Sequence, residues 1–162
     1  MFKGKTILIT GAASGLGRVW AEGFSADGAT VVAVDIDGEG LKKVPAAVHL
    51  TVDVSDSNQV EQMILGGIEQ TGRIDVLFNN AGVGFNQRLE NSSKGDFEQH
   101  IAVHLFAMVN SIRAAIPYMR IQNYGRIINT ISRNAEYDVI GTSAYAAAKA
   151  AMWAASRVTA AE

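Results

Sequence analysis

Residues 6–17, Thr-Ile-Leu-Ile-Thr-Gly-Ala-Ala-Ser-Gly-Leu-Gly, carry the reading that decides the fold. The first five are β-branched or apolar and read as a strand buried on both faces. They run straight into Gly11, Gly15 and Gly17, after which an apolar pattern through Trp20 and Phe24 reads as a helix. A strand, a glycine-rich turn and a helix N-terminus make an anion site, because free N–H groups point at a pyrophosphate. Glycine is needed where backbone approaches phosphate closely and where helix packs tightly on strand. The spacing is Gly-x-x-x-Gly-x-Gly rather than the usual Gly-x-Gly-x-x-Gly of dinucleotide sites. A merely flexible loop has no use for three glycines at one junction.

Working outward, a second strand over residues 30–34 ends at Asp35. A carboxylate there accepts hydrogen bonds from both hydroxyls of an adenosine ribose and repels a 2′-phosphate, which predicts NAD over NADP. The plainer alternative is that Asp35 only closes a strand end, with Asp37 close behind. Arg18 is the one residue placed to tolerate a phosphate, and no basic residue follows Asp35 to assist it.

Strand patterns alternate with helical ones along the whole chain, the signature of a parallel sheet with helices on both faces. Helices are predicted at 15–26, 57–71, 94–122 and 143–161, with a stunted helix between Asp35 and Asp53. Pro117 should bend or break the third long helix near its end. A chain of 162 residues that is 48% hydrophobic is expected to form one domain, 1–162, around a real core. A net charge of −2 argues against nucleic acid or an anionic membrane as partner. The absence of cysteine excludes disulfides and thiolate-bound metals, and it is compatible with a cytoplasmic enzyme. His100 and His104 lie four apart on a helix, but no carboxylate set completes a metal site, so none is expected. The N-terminus enters its first strand with no signal peptide, and no apolar run reads as long enough to span a bilayer.

Further on, Tyr145 and Lys149 stand at i and i+4 of a predicted helix, about 5–6 Å apart at Cβ. The ammonium favours the ionised phenol. Ser132 offers a hydroxyl to hold a substrate oxygen that the tyrosine protonates or deprotonates. Taken alone, Tyr-x-x-x-Lys is as readily an ordinary surface pair.

Five motifs in register carry a resemblance. They are residues 10–17, Asp53-Val54, Asn79-Asn80-Ala81-Gly82, the strand 125–132 ending at Ser132, and Tyr145-Ala-Ala-Ala-Lys149. Together they resemble the short-chain dehydrogenase/reductase (SDR) family over nearly all residues from Lys5 onward. The resemblance implies a Rossmann-type, doubly wound α/β sheet with five parallel strands in the order 3-2-1-4-5. It implies cofactor contacts at Gly11, Ser14, Gly15, Leu16, Gly17, Asp35, Asp53, Val54, Asn80, Ala81 and Gly82, with Tyr145 and Lys149 joining at the nicotinamide end. Tyr145 is then the general acid/base, Lys149 binds the nicotinamide ribose, and Ser132 holds the substrate oxygen. The implied activity is NAD-dependent interconversion of a secondary alcohol and a ketone.

Two departures qualify this picture. The family usually has Asn where this chain has His104, within Val103-His104-Leu105, and there the main-chain carbonyl holds a water of the proton relay. Histidine at this site is similar to the dehydrogenase modules that act on 3-hydroxyacyl-CoA, and equally it can be a polar filler. Family members also continue beyond the position of Glu162 with two more strands, so the sequence reads as C-terminally truncated, with strand 126–131 left as an edge. The other reading is therefore an NAD-binding fragment or regulatory module without turnover. Loops 84–93 and 133–142 are expected to shape the substrate pocket. Homodimers or homotetramers formed through the last helices are implied by the resemblance, and the alanines of 144–155 permit close helix approach.

Overall fold

The computed structural model describes residues 2–162. Five parallel strands form one sheet in the order β3-β2-β1-β4-β5, as the sequence predicts. They are β1 (Thr6–Thr10), β2 (Thr30–Asp35), β3 (Val48–Thr51), β4 (Val76–Asn79) and β5 (Arg126–Asn129). Strand order reverses beside β1, where β2 pairs on one side and β4 on the other. In open α/β sheets ligands bind in the crevice at such a switch point.

Alternation along β1 sends Leu8 to one face and Ile7 and Ile9 to the other, and all three are fully buried. Leu8 packs with Val32, Val34 and Leu77 beneath α3 (Ser57–Thr71), whose Val60, Met63 and Ile64 close that layer. Ile7 and Ile9 pack with Val31, Ala33 and Phe78 beneath α1 (Gly15–Ala26) and the single turn α2 (Gly38–Leu41). Burial on both faces explains the unbroken apolar runs that mark these strands in the sequence. Helix α3 starts on the Asp56 side chain, which accepts from the Asn58 and Gln59 N–H groups, and stops at Gly72 with a left-handed φ of 80°.

The third long helix departs from expectation. Instead of one α-helix bent at Pro117, it is α4 (Lys94–His100), a π-helical stretch at Ile101–Phe106, and α5 (Ala107–Ile121). Pro117 lies inside α5 without ending it. The irregularity belongs instead to the segment carrying His104. By length and composition Lys94–Ile121 also qualifies as a bilayer-spanning helix, which corrects the expectation of no such run. Here one face of it packs on the core. Met108, Ile112, Ala115 and Met119 are buried, against α3 on one side and against Met152 of α6 (Ser143–Thr159) on the other.

Beneath the sheet, Asp75 fastens three strands. Its fully buried carboxylate accepts from the Thr6 N–H at 2.9 Å, from Arg73 at 2.7 and 2.9 Å and from Lys5 at 3.3 Å, while the Arg126 N–H donates to its carbonyl.

Candidate active site

Two joined cavities open along the carboxyl ends of the strands. The larger, about 690 Å³, is lined by Gly11, Ser14, Gly15 and Leu16 of the first turn, by Asp35 and Ile36 after β2, and by Asp53 and Val54 after β3. Asn80, Ala81, Gly82 and Val83 close it, with the exception of Ala81 lining the second cavity too. That second cavity, about 430 Å³, is walled by His104, Thr130, Asn134, Thr142, Tyr145 and Lys149.

The first turn is built by close approach. A Cβ on Gly17 would stand 2.1 Å from the Gly11 carbonyl oxygen, and one on Gly11, at φ 70°, would stand 2.9 Å from Ala81 Cα. Gly17 thus packs helix on strand, and of the predicted cofactor residues of this turn it is the one absent from the cavity wall. Asp35 is held rigidly where β2 ends. Its Oδ2 accepts from the Ala13 N–H at 2.9 Å and its Oδ1 from the Asp37 N–H at 3.0 Å, leaving further lone pairs free. Arg18 is turned into an ion pair with Glu22 at 2.8 Å.

A relay of hydrogen bonds links this turn to the lysine. Thr10 Oγ1 accepts from the Asn80 and Ala81 N–H groups at 2.9 and 3.0 Å, and Asn80 Nδ2 donates to the Thr10 carbonyl at 3.0 Å. Thr130 donates to Asn80 Oδ1 at 3.3 Å, and Lys149 Nζ donates to the Thr130 carbonyl at 2.7 Å. Lys149 is buried, and burial pushes its pKa down to about 8. Its ammonium lies 5.7 Å from the centre of the Tyr145 ring, so the helical spacing does bring the two together.

His104 is also buried and makes its Nε2 hydrogen bond with the Val83 carbonyl at 2.8 Å. Burial first, then the nearby charge of Lys149, push its pKa down to about 4. Its ring meets that of Tyr145 edge to face, with centroids 5.3 Å apart.

Ser132 sits at the start of a 3₁₀ turn, where its Oγ accepts from the Asn134 N–H at 3.2 Å. Asn134, rather than Ser132, lines the cavity with Tyr145. Reading the sequence also passed over Ile36, Thr130 and Asn134. Ile36 follows the strand-ending Asp35 and was within reach of that argument, whereas the other two depend on loop paths without a periodic signal.

The chain also resembles known proteins along its length. A profile of the short chain dehydrogenase family matches residues 5–162. Levodione reductase of Leifsonia aquatica is 36% identical over 159 residues, covering 91% of this chain and 60% of that protein. The peroxisomal hydratase-dehydrogenase-epimerase of Saccharomyces cerevisiae is 37% identical over 163 residues, covering 91% of this chain and 18% of that protein. A 7α-hydroxysteroid dehydrogenase complexed with NADH and 7-oxo glycochenodeoxycholic acid superposes with a TM-score of 0.94 at 28% identity, covering 98% of this chain and 65% of that one. This chain thus spans less than two thirds of the length of these proteins. With its strand order, its glycine turn and the match over residues 5–162, the chain belongs to the short-chain dehydrogenase family.

Proposed function

We propose that residues 1–162 form the NAD-binding domain of an oxidoreductase that interconverts a secondary alcohol and a ketone, with Tyr145 as its acid/base. The observation that carries this reading is the shared wall of the two cavities. Asn80, Gly82 and Val83 line both, so a ligand lying along the strand ends reaches Tyr145 and Lys149.

The larger cavity suits a dinucleotide in its residues as well as its size. Backbone at Gly11, Ser14, Gly15 and Leu16, next to the α1 N-terminus, matches a pyrophosphate. Asp35 matches the two hydroxyls of an adenosine ribose, and Asp53 and Val54 lie where the adenine would rest. A bound nicotinamide cofactor supplies the hydride acceptor or donor. The chain's own residues handle the proton. In the oxidative direction Tyr145 Oη takes the proton from the alcohol oxygen as the carbinol hydrogen leaves as hydride. In the reductive direction it returns that proton. Lys149, with its ammonium 5.7 Å from the centre of the Tyr145 ring, is the group available to the ribose hydroxyls. Ser132 keeps its hydroxyl proton free for a substrate oxygen, because the Asn134 N–H occupies only a lone pair.

NAD is favoured over NADP because Asp35 is fixed as an acceptor and Arg18 is engaged by Glu22. Exposed Leu89, Tyr137, Val139 and Ile140 beside the second cavity favour an apolar substrate over a small charged one. The acyl chain of a 3-hydroxyacyl-CoA would suit such a surface. We assign the site to the cytoplasm, and self-association to the outer face of α6, where Ala147, Trp153 and Ala154 are exposed.

The test is Tyr145→Phe, assayed with NAD and a panel of secondary alcohols. Turnover should fall by about three orders of magnitude or more, at the upper range of a lost general acid/base, while the Kd for NAD stays within about twofold. A wild-type chain that binds NAD but turns over nothing would support the cofactor-binding module instead.

A further inference from the structure

We propose that His100 and His104 are positioning residues, a stacked pair that sets the Tyr145 ring against the Gly82–Val83 wall of the cofactor site. The proposal rests on the catalytic reading of Tyr145 for its kinetic arm only.

The pair sits where the helix widens. Six residues, Ile101–Phe106, are π-helical, a geometry that shifts side chains out of α register and is frequent at functional sites. His100 and His104 are 0% and 2% exposed, and their rings stack with centroids 5.8 Å apart. Each ring is fixed by one nitrogen. His100 Nδ1 meets the Asp96 carbonyl at 2.7 Å and His104 Nε2 meets the Val83 carbonyl at 2.8 Å, so these nitrogens carry the protons. The remaining nitrogens, His100 Nε2 and His104 Nδ1, are buried without a protein partner. A second proton on His104 would place a charge in a buried site that already holds the Lys149 ammonium. Both rings are therefore of defined orientation.

What they hold is equally defined. Both meet the Tyr145 ring edge to face, His100 with centroids 6.1 Å apart at 82° and His104 with centroids 5.3 Å apart at 85°. Phe85 closes the far side of His100 at 4.5 Å. On the cofactor side, a Cβ on Gly82 would stand 2.6 Å from His104 Cε1. Gly82 and the His104 ring thus compete for one space. Moving the ring shifts the cofactor wall on one side and the acid/base on the other, although neither histidine touches the reacting atoms.

A double-mutant cycle tests this, with Gly82→Ala and His104→Ala made singly and together and NAD affinity as the first readout. Gly82→Ala alone should weaken NAD binding by about tenfold, and by under about twofold once His104 is alanine, within the coupling range of contacting residues. His104→Ala should lower kcat by about tenfold with little change in KM, and His104→Asn, which keeps a donor for Val83, should recover part of it. An equal cost of Gly82→Ala in both backgrounds overturns the proposal, as does an unchanged kcat in a folded His104→Ala. A wild type without turnover would defeat the catalytic reading alone, and the NAD cycle would still decide whether the pair is coupled. Should His104→Ala not fold, the cycle is run with His104→Asn.

Discussion

The carboxyl ends of β1 and β5 face the same crevice but are built on opposite terms. Every residue of β1 is buried, and the turn that follows has backbone against backbone, leaving no room for a Cβ at Gly17. Along β5 alternate residues are exposed, Ile128 among them at 43%, and the chain leaves through a 3₁₀ turn into an open segment that mixes charged and apolar side chains. One end is specified by main-chain contact, with no room for a side chain at Gly11 and Gly17. The other is specified by side chains and has freedom to change. Loops carried on such a rigid scaffold are where binding specificity usually resides.

The largest expected effect breaks the first end. Gly17→Ala puts its Cβ 2.1 Å from a carbonyl oxygen, closer than any real contact, so strand and helix must part. We expect a loss above about 4 kcal/mol in urea unfolding, among the exceptional values for single substitutions. Its counterpart beyond β5 is Gly141→Ala. Gly141, unlike Gly17, has a left-handed φ, 83°, and the nearest atom to its missing Cβ is 3.4 Å away. The loss there should be about 1–2 kcal/mol, the cost of that conformation alone. Equal losses at the two positions would erase the distinction.

Next in size is Asp75→Asn, which removes the charge that anchors the start of β1 and leaves the main-chain link to β5 in place. The carboxylate is fully buried, whereas its partners Lys5 and Arg73 keep 35% and 42% of their side chains exposed. Burial alone would raise its pKa, but hydrogen bonds from Thr6, Arg73 and Lys5 outweigh this and hold it below the usual carboxylate range. An amide keeps the shape and loses the charge, for about 2–3 kcal/mol by the strength of charged hydrogen bonds. Because the folded pKa is depressed, the stabilisation is present above the ordinary aspartate pKa and is lost as pH falls through the folded value. Urea midpoints of wild type and Asp75→Asn should therefore converge in acid.

What was legible in the sequence follows the same division. Residues 6–17 gave away strand, turn and helix because backbone crowding permits few residue types there. The spacing of Tyr145 and Lys149 was readable because a regular helix converts i, i+4 into proximity. The π-helical stretch at Ile101–Phe106 was not readable, since the apolar pattern of 94–122 is equally compatible with an unbroken α-helix and Pro117 drew the expectation to the wrong place. That Asn134 rather than Ser132 lines the second cavity was hidden for another reason. The path of residues 133–142 depends on loop hydrogen bonds, such as Gln87 N–H to the Gly141 carbonyl at 2.7 Å, between segments distant in the chain.

A smaller effect separates the two ends by pH. His104 and Lys149 stand on the β5 side, and both have folded pKa values depressed by burial, to about 4 and about 8. For each, the unfolded chain holds more protons over a defined window, so stability rises with pH there. His104 should weaken the protein as pH falls from about 6.5 to 4, and Lys149 should strengthen it as pH rises from about 8 to 10.5. Lys149→Met should flatten the alkaline rise in melting temperature, and His104→Asn the acid fall. A rise that survives Lys149→Met would assign it to another group.

The smallest effect returns to the β1 end, at its most conspicuous charge. Arg18 and Glu22 form an i, i+4 pair at 2.8 Å with side chains 42% and 44% exposed, which is worth only a few tenths of a kcal/mol. The order is also the weaker one, with the cation N-terminal, and Arg18 lies in the first turn where the helix dipole opposes it. Its side chain is absent from the wall of the cofactor cavity, which is made there by Gly11, Ser14, Gly15 and Leu16. Arg18→Ala should therefore change unfolding free energy by less than about 0.5 kcal/mol and leave the Kd for NAD within about twofold. A tenfold loss of NAD affinity at unchanged stability would mean that a side chain also holds the pyrophosphate, and the β1 end would then no longer be a site specified by main chain alone.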